Sequence, residues 1–305
     1  MTSFRLSQAQ ELCANAEFQT VEVTHSFNGK DSDLSKARTV VLTLHDGKAK
    51  YRFPSAVQDV VNPMRQTVER YLHLERDVGT RELADAVLRR VPDAVGFHVQ
   101  VPRGFVDLNR ESEFGVPLQH NADSPTEVAA FEALQRMHQE TRRLLMTLLA
   151  AVPASVAVDI HSMAPYSPAM SYNTPSLGSE QSFEDYVTAW NGGGVARPVQ
   201  IFHSSKAKEQ MQPISDGSQQ FAELLASELQ AAEYDNSFTQ PFTLMDGRHM
   251  SQVYLRQFPV SVAVDVPKNH LAFSAVGLDD LQSDDEKVER FAHCLAQAIS
   301  RVMCA

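Results

Sequence analysis

Cysteine is scarce in the chain: Cys13, Cys294 and Cys304 are the only three among 305 residues. Their spacing supplies no C-x-x-C pair, so neither a disulfide framework nor a cysteine-based metal site is expected. Long apolar runs are lacking as well. No segment approaches the roughly 20 apolar residues that span a bilayer, and the opening MTSFRLSQAQELCANAEF has neither the basic start nor the apolar core of a secretory leader. A soluble protein of a reducing, cytoplasmic compartment with no membrane partner is the expectation. Positive charge is in deficit, 27 Lys and Arg against 38 Asp and Glu, and the net charge of -11 is spread along the chain. That balance repels phosphate backbones, so nucleic acid is not an expected partner.

What is present is an alternation of apolar strands and amphipathic helices. Strands are expected at 18–23, 39–44, 94–101, 155–163, 198–202 and 260–267. Helices are expected from a Ser7 cap, over 64–74 after Pro63, over 80–91, from the Ser124 capping box with Pro125 to 151, over 218–232, and from Ser283-Asp284-Asp285-Glu286 to the C-terminus. Strands alternating with helices predict the α/β class: one domain, 1–305, with a central mixed, largely parallel sheet and helices on both faces. The stretch at about 164–197 is rich in Pro, Ser, Asn and Gly and reads as a long loop insertion, apart from a patterned piece at 183–190.

Chemistry concentrates where strands end. In Ser155-Val156-Ala157-Val158-Asp159-Ile160-His161-Ser162-Met163 an apolar strand delivers an acid and a histidine. Side chains alternate along a strand, so Asp159 and His161 share a face and Asp159 is placed to orient the imidazole. His45 follows another apolar strand, and Glu75-Arg76-Asp77 offers an acid in the loop before a helix. Two imidazoles and one carboxylate leave a coordination position open on zinc, the pattern of a hydrolytic rather than a structural site. Each histidine taken alone is more often a structural residue than a ligand, and the spacing forms no compact motif.

The pieces V-V-L-T-L-H-D-G at 40–47, E-R-D-V-G-T-R-E-L-A at 75–84, R-G-F-V-D-L-N-R at 103–110, D-I-H-S-M at 159–163 and V-A-V-D-V-P-K at 262–268 resemble, in order and spacing, the N-formylglutamate amidohydrolase family. The resemblance implies a fold of the zinc-exopeptidase (phosphorylase/hydrolase-like) type, Zn2+ as cofactor, and His45, Asp77 (in preference to Glu75) and His161 as its ligands. It further implies Asn109 and Arg110 as the pair that binds a substrate carboxylate, Arg103 as a second cation, and Asp265 as general base. Asp159 then stands behind His161 rather than on the metal. The implied reaction is hydrolysis of the amide of a small N-acylated acidic amino acid, such as N-formyl-L-glutamate, a small molecule bearing carboxylates. Three departures stand out, because the family has Ser at Asp46, Pro at Glu111 and Glu at Asp265. The last shortens the base by one methylene. Two other readings therefore stay open: a carboxypeptidase- or γ-glutamyl-type zinc peptidase, and a ligand-binding homologue that has lost catalysis.

Overall fold

The computed structural model describes all residues except 1–3, 28–31, 46, 48–52, 119–122, 167–174, 192–194, 208–209, 239–243, 245–248, 275–279 and 305. Its helices are α1 (Leu6–Asn15), α2 (Ser55–Val61), α3 (Arg65–Glu75), α4 (Thr80–Arg90), α5 (Pro125–Ala150), α6 (Glu180–Trp190), α7 (Ser218–Ala231), α8 (Ser251–Leu255) and α9 (Asp285–Cys304). The strands used below are β1 (Val21–His25), β2 (Thr39–Thr43), β3 (Ala94–Val99), β4 (Val156–Met163), β5 (Val199–Phe202), β6 (Ser204–Ala207), β7 (Gln210–Pro213), β8 (Asn236–Ser237) and β9 (Val260–Pro267).

Seven strands form one sheet in the order β1-β3-β2-β4-β9-β5-β8, while β6 and β7 make a separate antiparallel ribbon. β3, β2, β4 and β9 are mutually parallel, whereas β1 and β5 run antiparallel to their neighbours β3 and β9. The sheet is thus mixed and largely parallel, as the sequence implied. Every residue of β2, β3 and β4 is buried, which is what parallel strands covered on both faces require.

Alternation assigns the faces. Val158, Ile160, Val262 and Val264 pack with Val87 of α4, Phe221 of α7 and Leu295 of α9. On the other face Leu42, Ala157 and Ala263 join Val57 of α2, Tyr71 of α3, Leu134 of α5 and Phe183 of α6. Small residues thin that second face at β4 and β9, and the next side chains along it are Asp159, His161 and Asp265. Because four parallel strands end together, their polar carboxyl termini meet on one rim.

Several local expectations are realised in detail. Ser124 Oγ accepts from the Glu127 N–H at 3.3 Å and donates to Glu127 Oε2 at 2.8 Å, with Pro125 in the first turn. Others shift. α1 begins at Leu6 rather than after a Ser7 cap, with the Arg5 N–H donating to Gln8 Oε1 at 2.8 Å, and β1 starts three residues later than expected. Asp284, not Ser283, caps α9 by accepting from the Glu286 and Lys287 N–H groups at 3.1 and 3.2 Å. α2 and α8 have no counterpart in the sequence pattern, and α6 occupies part of the 164–197 stretch, of which 167–174 and 192–194 lie outside the described residues, as does Asp46. Among the described residues no helix is long and apolar enough to cross a membrane.

Candidate metal centre

Three strand-end or loop side chains converge on the thinned face. His45 follows β2, His161 sits near the end of β4, and Asp77 lies in the short connection from α3 to α4; all three are buried. The connection is fixed to the sheet by its backbone, since the Asp77 N–H donates to the His45 carbonyl at 3.0 Å and the Ser162 hydroxyl donates to the Val78 carbonyl at 3.2 Å. Gly79 then turns the chain into α4 with φ 87°, where a Cβ would stand 2.7 Å from Leu271 Cβ. Only glycine satisfies both demands.

The donor atoms face one another. His45 Nδ1 and His161 Nδ1 are 3.2 Å apart, and each lies 3.3 Å from Asp77 Oδ2. Ligands held about 2.0–2.1 Å from a tetrahedral centre stand about 3.3 Å from each other, so this triangle fits a small divalent cation. The far side of each ring sharpens the point. His45 Nε2 lies 2.8 Å from Asp107 Oδ1, and His161 Nε2 lies 2.9 Å from Asp159 Oδ2 and 3.1 Å from Ser251 Oγ. A carboxylate only accepts, so each Nε2 carries a proton and each Nδ1 is the ring nitrogen that faces inward. Two ring nitrogens and a carboxylate oxygen then converge on one point, an arrangement that a cation satisfies.

Without a cation, a proton takes its place. Burial works against charging His161, but the Asp159 and Asp77 carboxylates outweigh it and push the imidazole up to about 10. A metal ion held by this triangle would have to displace that proton near neutrality, so affinity should rise about tenfold per pH unit and binding should release one proton. Calorimetry of zinc binding in buffers of different ionisation enthalpy measures that release. A pH-independent affinity between pH 6 and 8 would contradict it.

Asp107 and Ser251 are hydrogen-bonded neighbours of the two histidines that the sequence pattern does not single out. Asp107 Oδ1 also accepts from the Asn109 N–H at 2.8 Å, and Oδ2 pairs with Arg103 Nε at 3.4 Å. Burial opposes its ionisation, yet His45 and Arg103 hold its carboxyl well below the usual range. Asp107→Asn should lower metal affinity about tenfold to a hundredfold, as loss of a partner behind a ligand does. Competition with a chromophoric chelator reads this, and unchanged affinity would remove Asp107 from the site. Ser251, at the start of α8, donates to Asn109 Oδ1 at 2.9 Å through its hydroxyl and at 2.8 Å through its N–H. Asn109 thus braces the residue that braces His161.

The remaining candidates line one cavity of about 780 Å³ together with Asp77 and His161. Arg103 lies between two acids, 3.4 Å from Asp77 Oδ1 and 3.4 Å from Asp107. Arg110 is tethered through a 3.0 Å bond to the Asn109 carbonyl. Glu75, the last residue of α3, accepts from the Tyr186 hydroxyl instead of joining the triangle. Glu111 pairs with Arg142 of α5 at 3.0 Å. Asp265 lies beside His161 in the β4–β9 register, and its Oδ1 is buried without a hydrogen-bond partner. Burial raises its carboxyl, against the charges of His161, Arg103 and Arg197, to about 6.

This rim of carboxyl strand ends, with its cavity and its His-Asp-His triangle, sits on a framework also found in solved proteins. The chain is similar to N-formylglutamate amidohydrolase from Ralstonia eutropha, with a TM-score of 0.57 over 93% of this chain and 96% of that one. It shares that enzyme's fold. Sequence identity is 14%, so the likeness is one of architecture. A gene product from Agrobacterium tumefaciens gives a TM-score of 0.54 at 15% identity, covering 93% of this chain and 95% of that one. No protein-family model and no curated protein matches the chain.

Proposed function

We propose that the protein is a zinc-dependent amidohydrolase acting on small N-acylated acidic amino acids, with N-formyl-L-glutamate as the type substrate. The observation that carries this reading is the triangle of His45, Asp77 and His161 opening onto a cavity that also holds the Asp265 carboxylate, whose Oδ1 has no hydrogen-bond partner, and a tethered guanidinium. A zinc ion held by those three residues would supply Lewis-acid charge to the acyl carbonyl and lower the pKa of water.

The chain's own residues supply the rest. Arg110 binds the α-carboxylate with two parallel N–H donors, and Asn109 keeps it in place through the backbone bond already described. Asp265 takes a proton from the attacking water and returns it to the leaving nitrogen as the C–N bond breaks, giving formate and the free amino acid. A carboxyl at about 6 in the metal-free protein is ionised near neutrality yet basic enough to accept that proton. Arg103, already between Asp77 and Asp107, directs remaining N–H groups toward charge developing on the acyl oxygen.

The test is product analysis with the zinc-loaded protein against N-formyl-L-glutamate, a γ-glutamyl dipeptide and a dipeptide ending in glutamate. Formate release from the first alone supports the proposal, whereas cleavage confined to a dipeptide makes the protein a zinc peptidase.

A further inference from the structure

A dicarboxylic substrate needs a second cation, and the geometry narrows the choice. Arg103 neutralises Asp77 and Asp107 across 3.4 Å contacts. Lys268 is buried, and its ammonium donates to the Leu74 carbonyl at 2.6 Å, pinning the end of α3 to the end of β9. Arg110 is assigned above to the α-carboxylate. Among the described residues one more arginine lines the cavity: Arg197, half-buried, two residues before β5.

Topology explains its arrival there. β5 runs antiparallel to β9 with Gln200 opposite Asp265, so the start of β5 lies at the carboxyl end of β9, on the rim where the triangle stands. The backbone at this point is held, because the Arg197 N–H donates to the Pro165 carbonyl at 3.1 Å and Ala196 bridges Tyr166. Its charge acts on Asp265. In sheet order, Arg110 enters from the segment after β3 and Arg197 from the segment before β5, with the strands bearing His45, His161 and Asp265 between them.

Resting on the function proposed above, we infer that Arg197 is the specificity-determining residue that reads the side-chain carboxylate of a dicarboxylic substrate whose α-carboxylate lies on Arg110. A guanidinium suits this task because its planar fork matches a carboxylate and not a neutral amide. A substrate held at both ends also has its acyl group fixed over the triangle between them.

The experiment compares N-formyl-L-glutamate with its neutral isostere N-formyl-L-glutamine in the zinc-loaded wild type, Arg197→Ala and Arg197→Lys. Wild type should favour the glutamate compound, and Arg197→Ala should reduce that kcat/KM ratio on the order of tenfold to a hundredfold, the worth of a charged hydrogen-bonded pair. Arg197→Lys, which keeps the charge and loses the fork, should fall between. An unchanged ratio in the two variants overturns the inference. If wild type hydrolyses neither compound, the proposed function fails separately, and calorimetry of glutarate against glutaramate decides the subsite. A glutarate preference lost in Arg197→Ala sustains it, while a preference that survives, or none in wild type, overturns it.

Discussion

Asp265→Asn is expected to leave fold and metal occupancy intact while lowering kcat by about a hundredfold to ten-thousandfold, the contribution of a positioned acid–base group. The substitution keeps the shape of the side chain and removes only its ability to take a proton. Nothing structural depends on the buried Oδ1, which has no hydrogen-bond partner. Burial raises its carboxyl to about 6, so beside His161 it stands ionised near neutrality and basic enough to take a proton. Single-turnover assays with measured zinc content separate the loss of chemistry from loss of metal. Full activity in the Asn variant would transfer the base to another group. Asp265→Glu bears on the ligand-binding reading, because if wild type binds N-formyl-L-glutamate without turnover, activity gained with the longer acid would show that reach is the missing element.

His161→Ala is expected to abolish stoichiometric metal binding, a larger effect than that of any residue behind the ligands. It leaves two donors of the triangle and also strands the carboxylate of Asp159, which is fully buried and accepts from His161 at 2.9 Å. An uncompensated buried charge adds a stability penalty, so thermal unfolding should be followed alongside metal analysis. Asp77→Asn should weaken binding more than Glu75→Gln, since Asp77 Oδ2 lies 3.3 Å from both inward nitrogens whereas Glu75 faces Tyr186. Equal losses from the two acid variants would contradict the placement.

The strands and the two histidines were legible because both depend on local pattern: apolar runs fully buried between helices, and polar residues where those runs stop. Asp77 was separable from Glu75 in the sequence only by resemblance. In the structure the distinction comes from α3, which ends at Glu75 and leaves Asp77 on an extended connection bonded to the His45 backbone. Asp107 gave no local sign of its role, since its partner His45 lies 62 residues away, and it stands inside a motif whose Asn and Arg drew attention to the substrate. Ser251 begins a helix of five residues, too short for periodicity to register. Arg197 belongs to an irregular stretch, and it reaches the rim through the antiparallel direction of β5, which no sequence pattern specified.

The most direct measurement is formate release from N-formyl-L-glutamate as zinc is added back to chelator-stripped protein. The account predicts no release at zero zinc, a linear rise to one zinc per chain, a plateau beyond it, and no response in His161→Ala. Formate release by the stripped protein, or zinc bound at one per chain without release, would contradict it.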